Sequence, residues 1–154
     1  MNDTSSHRLR LIPNSLFDGA LNMAIDEVLL DQYHSDTGMH PILRFYGWQP
    51  GAVSIGYGQN LPGQSYRAIL ERGLDVVRRP TGGRAVLHQN EFTYSFIGGS
   101  SDRGVPGSLL GKSISEAYKQ ICQGLIYGFE ELGLQVKMGT SSKGYKNNDD
   151  CFLA

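Results

Sequence analysis

The segment Arg78 to His88, RRPTGGRAVLH, holds three arginines, one proline, a glycine pair and a histidine. An arginine guanidinium is a planar fork of donors that matches a carboxylate or a phosphate. Gly82 and Gly83 have no Cβ, so a ligand can approach their amides closely and the backbone can take positive φ. Successive amides in such a turn make an anion-binding concavity. The chemistry these residue types suggest is capture of a carboxylated or phosphorylated group, with Arg79 or Arg84 adding a charge-assisted contact. The competing reading is a hairpin loop with solvated arginines, and a glycine pair alone does not decide between them. Neither a Walker pattern nor a dinucleotide fingerprint is present. His88, at the end of the segment, either donates a hydrogen bond to a substrate or orients the loop, the more common role for a lone histidine being structural.

Two cysteines are present, and they differ in setting. Cys122 falls on an apolar helical stripe, where a small core residue is expected. Cys151 follows a polar loop and begins the apolar run CFLA, a place that suits a nucleophilic thiolate. Asp149 and Asp150 precede it directly, and nearby negative charge raises a thiol pKa. A working nucleophile there needs a cation or base close by, such as His88 or a residue beyond position 154. The pairs Asp26-Glu27 and Asp149-Asp150 carry no glycosidase-like role: the first straddles the polar edge of a helix, the second a flexible loop. His7, His34 and His40 lack partners at ligand spacing, and no metal motif is visible.

These residues must be positioned by the elements around them. LRLI (Leu9 to Ile12) reads as a strand. Asp18 opens a helix to about Tyr33, with Leu21, Ala24, Ile25, Val28 and Leu29 as its apolar face. ILRFYGW (Ile42 to Trp48) is a strand, Pro50-Gly51 a turn, and AVSIGYG a second strand. SYRAILERG is a short helix stopped by Gly73. LDVVRR, RAVLH and EFTYSFI are strands, with PTGG looping between the first two. Ser113 and Glu116 form a capping box. Ile114, Ala117, Tyr118, Ile121, Cys122, Leu125, Phe129 and Leu132 then make one stripe, and Gly133 ends the helix. LQVKM is a strand, and the polar stretches GGSSDRGVPGS and GTSSKGYKNNDD are flexible loops. Strands joined mainly by short turns predict an α+β fold with a mixed, largely antiparallel sheet packed by helices.

At 154 residues the chain fits a single domain with a real core. A net charge of −1 excludes a protein built to coat nucleic acid. No signal-peptide core and no membrane-length apolar run occur, so the sequence predicts no membrane partner and a cytoplasmic protein with reduced thiols.

NMAIDE (Asn22 to Glu27), SIGYGQ (Ser54 to Gln59) and RRPTGGRAVLH, in this order, resemble the biotin/lipoate protein ligase superfamily. The octanoyltransferase and lipoate-protein ligase branch fits best, and its Gram-positive-type cysteine octanoyltransferases are closest. The resemblance covers the chain from about Leu9 to its end. It implies a ligase-like catalytic domain in which Arg79, Gly82, Gly83, Arg84, Ala85, Val86, Leu87 and His88 line the acyl or acyl-adenylate pocket. Cys151-Phe152 sits where those transferases carry a Cys-Phe pair, with the cysteine taking the acyl group as a thioester. The implied donor is an octanoyl or lipoyl acyl carrier protein. The implied acceptor is a lysine of a lipoyl domain or of the glycine cleavage H protein. The transferase branch requires no cofactor, whereas the ligase branch uses ATP and Mg. The alternatives are an ATP-dependent lipoate-protein ligase, or a non-catalytic acyl-binding part of a split or truncated enzyme. Members of the branch continue past the cysteine and supply a lysine in a GrK-like motif, which has no counterpart before Ala154. The expectation is therefore a domain incomplete at its C-terminus whose isolated chain is weak or inactive.

Overall fold

A computed structural model describes residues 8–36, 39–99, 110–111 and 113–138. Cys151, Phe152 and the Asp149-Asp150 pair lie outside the described residues, as do most of the two polar stretches expected to be loops. Seven strands and three helices are present among the described residues: β1 (Arg10–Ile12), β2 (Leu16–Phe17), α1 (Gly19–Ser35), β3 (Ile42–Trp48), β4 (Ala52–Ile55), α2 (Gly63–Leu70), β5 (Asp75–Arg78), β6 (Val86–His88), β7 (Thr93–Ile97) and α3 (Ile114–Glu131).

The strands form two sheets. In the larger, β3 is central: β1 and β2 lie parallel along its Ile42–Arg44 and Gly47–Trp48 segments, and β7 runs antiparallel to it. In the smaller, β4 is central, parallel to β5 and antiparallel to β6. The α+β class with mixed sheets holds. The balance tilts further toward parallel pairing than expected. The chain passes through α1 on its way from β1 and β2 to β3, and through α2 from β4 to β5, and a crossover helix returns the chain in the same direction. The Pro50-Gly51 turn joins β3 to β4 without pairing them. Leu134–Met138, expected as a strand, is exposed and unladdered. Its alternating pattern has no pairing partner among the described residues, and alternation alone does not hold a strand.

Helix α1 begins where Asp18 accepts a hydrogen bond from the Leu21 amide at 2.7 Å. Asp75, from β5, accepts a second from the Gly19 amide at 3.0 Å, tying the helix start to the smaller sheet. The buried face of α1 is Gly19, Asn22, Met23, Asp26, Leu29 and Tyr33. This corrects the sequence reading: Leu21 and Val28 are exposed, and Asp26 lies inside rather than on a polar edge. The reason is Arg44. Its side chain, 1% exposed, donates to Asp26 Oδ1 at 2.8 Å and to Asn22 Oδ1 at 2.6 Å. A buried guanidinium requires such partners, so the helix turns a polar pair inward. Tyr46 donates to Asp26 Oδ2 at 3.1 Å, and Ser95 donates to Asp26 Oδ1 at 2.9 Å. Asn22 donates to the Phe17 and Gly47 carbonyls. Two small apolar clusters flank this network, one around Met23, Tyr46, Trp48 and Ala52, the other around Leu29, Tyr33, Ile42 and Ile97.

Ser113 caps α3, accepting from the Glu116 amide at 3.2 Å. At the other end Gly133, at φ 79°, donates to Glu130 O, and Leu134 donates to Phe129 O, a glycine-terminated helix end as the sequence indicates. The α3 stripe is only half-buried, and Ile114 is 91% exposed. Ile121, Leu125, Phe129 and Leu132 face Leu43, Phe45 and Phe96 across an apolar groove of about 580 Å³.

Candidate functional site

Strands β5 and β6 are not neighbours. They flank β4, so the loop between them passes over the C-terminal end of β4 instead of closing a hairpin. The hairpin alternative is thereby set aside, and the loop needs its own anchors. It has them in backbone contacts and in one guanidinium. The Tyr57 amide donates to Thr81 O at 2.9 Å. Gly56 and Gly83 meet backbone to backbone: a Cβ on Gly56 would lie 2.1 Å from the Gly83 carbonyl oxygen. Gly83 itself holds φ at 97°, a region where side chains are strained.

Arg79 fills the inside of the loop. Nη1 donates to the Ser54 carbonyl at 2.9 Å and to Ser54 Oγ at 3.1 Å. Nη2 donates to the carbonyls of Gly82 at 2.9 Å and Arg84 at 2.6 Å. Desolvation lowers its pKa from the ordinary arginine value. Arg78 does similar work next door, its Nη1 donating to the carbonyls of Gly56, Tyr57 and Gln59 at 2.8 Å each. Of the three arginines, only Arg84 presents an exposed side chain with no hydrogen bond or ion pair to the described residues. Gly82 and Gly83 are exposed beside it, Ala85 is half-buried, and Val86 and Leu87 are 43% and 55% exposed. The surface formed by positions 82–87 thus joins a cationic, amide-rich turn to an apolar strand edge.

His88 is buried, at 7% exposure. Its ring stacks on Trp48 with centroids 4.2 Å apart. Nε2 lies 2.7 Å from Ser54 Oγ, and Nδ1 pairs with Glu91 Oε1. Glu91 Oε1 also accepts from Thr93 Oγ1 at 2.7 Å, and Thr93 Oγ1 accepts from Trp48 Nε1 at 2.8 Å. Of the two roles open to this histidine, the geometry matches orientation of the loop. The partners Ser54 and Glu91 were not singled out from the sequence. The available signal for Ser54 was a hydroxyl within the apolar run AVSI of a strand buried at all four positions.

Cys122 is half-buried on α3 and close enough to Tyr118 and Tyr94 that it contributes to raising both phenol pKa values, by hydrogen bonding at Tyr118 and after burial at Tyr94. His34 and His40 are exposed. No group of three or more His, Cys, Asp or Glu that could hold a metal ion occurs among the described residues. Likewise, no described helix is long and apolar enough to cross a membrane.

The structure thus combines a mixed two-sheet core, a buried ion pair between Asp26 of α1 and Arg44 of β3, and a glycine-arginine loop over the central strand of the smaller sheet. Residues 18–150 match the lipoyl protein ligase A/B catalytic domain, and the chain belongs to that family. It is 46% identical over 126 residues to octanoyltransferase LipM of Geobacillus kaustophilus, covering 81% of this chain and 43% of that protein. It is 41% identical over 146 residues to octanoyltransferase LipM of Carboxydothermus hydrogenoformans, covering 94% of this chain and 52% of that one. The chain thus spans about half the length of the curated relatives it matches. The fold is shared with a T. acidophilum protein solved with bound lipoic acid, at TM-score 0.67, 23% identity, 90% of this chain and 54% of that one. It is shared also with lipoate-protein ligase A bound with ATP, at TM-score 0.65, 22% identity and the same coverage of 90% and 54%.

Proposed function

We propose that this chain handles the acyl group of an octanoyltransferase in protein lipoylation. In this reading an octanoyl group, or a lipoyl group in its place, arrives as the thioester of an acyl carrier protein. The Cys151 thiolate attacks the thioester carbonyl, the acyl–sulfur bond to the carrier breaks, and the carrier leaves as a thiol after taking a proton. A lysine amine of a lipoyl domain then attacks the Cys151 thioester. An amide forms, the amine gives up a proton, and the cysteine thiolate is released. Splitting the transfer in this way suits a sulfur nucleophile.

The observation that carries the reading is the 46% identity to an octanoyltransferase across 126 residues. The loop geometry supports it. The amides around Gly82 and Gly83, with Arg84, suit the polar head of the acyl group, while Val86 and Leu87 offer apolar surface to its chain. Arg79, whose Nη1 and Nη2 donate within the protein, shapes this surface from beneath. The transferase reading calls for no cofactor.

The test is incubation with octanoyl-loaded acyl carrier protein, followed by intact mass and peptide mapping. A slowly formed octanoyl adduct on Cys151 that hydroxylamine removes, and that Cys151→Ala abolishes, is the expected result. Acylation of a lipoyl domain that requires ATP and survives Cys151→Ala would replace it with the ligase reading.

A further inference from the structure

The site loop has a second tier of support, reached only through Ser54. The Ser54 hydroxyl sits at 1% exposure between the Arg79 guanidinium and the His88 ring. Its oxygen accepts from Arg79 Nη1. The Glu91 carboxylate can only accept, so it takes the Nδ1–H of His88. In the neutral ring, Nε2 is then the acceptor, and the one proton of Ser54 Oγ donates to it. Each member therefore constrains the next: Thr93 and His88 hold Glu91, Glu91 sets the tautomer, the ring aims the hydroxyl, and the hydroxyl joins the Ser54 carbonyl in holding one arm of Arg79.

The other arm of Arg79 draws the carbonyls of Gly82 and Arg84 inward. In a trans peptide the C=O of one residue and the N–H of the next point in opposite directions. Pulling those two carbonyls in therefore turns the Gly83 and Ala85 N–H groups away from the guanidinium.

We infer that Ser54, His88 and Glu91 are positioning residues that set the direction of the Gly83 and Ala85 amides through Arg79. Their importance for acyl binding rests on the site reading above, but the loop geometry does not. Ser54 is too buried to act as a nucleophile itself, and the Trp48 ring stacked on His88 closes that side of the imidazole.

Amide hydrogen exchange and amide chemical shifts, recorded on the full chain, test the relay without any ligand. Ser54→Ala and His88→Leu, on separate strands, are expected to speed exchange and move the resonances of Gly83 and Ala85 in the same direction. Ser54→Thr restores a hydroxyl and is expected to return them toward the wild-type positions. Octanoate titration adds the functional half. Removing a hydrogen bond to a charged group is expected to weaken octanoate binding about ten-fold in Ser54→Ala. Unchanged Gly83 and Ala85 amides in a folded Ser54→Ala or His88→Leu would overturn the relay. If the wild-type chain binds no octanoate while those amides still respond, the relay stands and the site reading fails.

Discussion

Two arginine networks sit within a few strands of each other and do opposite things. Arg44, Asp26 and Asn22 form a closed knot between α1 and β3, with the Arg44 side chain 1% and the Asp26 side chain 10% exposed. Both Arg44 Nη atoms donate to Asn22 or Asp26, and the Tyr46 ring lies 3.9 Å beneath the guanidinium. Arg79 is engaged through both Nη atoms as well, yet two of its four acceptors are the carbonyls of an exposed loop. The first network holds a helix on a sheet; the second shapes a surface. Asn22 and Asp26 of the first belong to NMAIDE and Arg79 to RRPTGGRAVLH, two of the stretches that carry the family resemblance. What separates scaffold from site is where the acceptors lie, not how much charge the motif carries.

The contrast is broken most forcefully at the closed knot. Asp26→Ala leaves the Arg44 cation buried without its ion-pair partner, which costs roughly 3–5 kcal/mol. Small domains have about 5–15 kcal/mol in total, so urea denaturation is expected to show a chain near the edge of unfolding. At the loop, Gly56→Ala forces a Cβ into the Gly83 carbonyl, and the backbone there must move. Octanoate binding is expected to fall about ten-fold or more, with a loss of roughly 1–3 kcal/mol in stability from overpacking.

A pH series sharpens the same comparison. Burial first, and Asp26 second, push the Tyr46 phenol well above the ordinary tyrosine value of 10.0. The folded state therefore resists an ionisation the unfolded chain undergoes freely. Its contribution to stability is complete below pH 10.0 and is lost as pH rises above that value. Thermal unfolding of wild type against Tyr46→Phe from pH 8 to 11 is expected to show a shallower alkaline slope in the variant, Tyr94 supplying part of what remains. The smallest effect on stability belongs to Arg84→Gln. Its side chain makes no bond to the described residues, so stability is expected to stay within about 0.5 kcal/mol. Octanoate binding by that variant weakens all the same.

The strands and helices were largely legible because their signals are local. ILRFYGW is β3 to the residue, and the Ser113 cap and the Gly133 stop of α3 are where the sequence puts them. What was not legible depends on partners distant in sequence. Nothing near Asp26 announces Arg44, so the apolar Leu21 and Val28 looked like the inner face of α1. Nothing in RRPTGG tells that β4 lies between β5 and β6, so a hairpin remained open. His88 could be assigned a role only once Ser54 and Glu91 stood on either side of it. The alternation in LQVKM is a strand signal that requires a ladder to act on.

In the proposed function positions 82–87 receive the acyl group, while the Arg44 knot only holds the scaffold. Amide shift mapping during octanoate titration of the full chain tests it most directly. Perturbations centred on Gly82, Gly83, Arg84 and Ala85 are expected, with Asn22, Asp26 and Arg44 unmoved. Shifts centred on the groove between α3 and the larger sheet, at Leu43, Phe45 and Leu125, with the glycine loop silent, would contradict it.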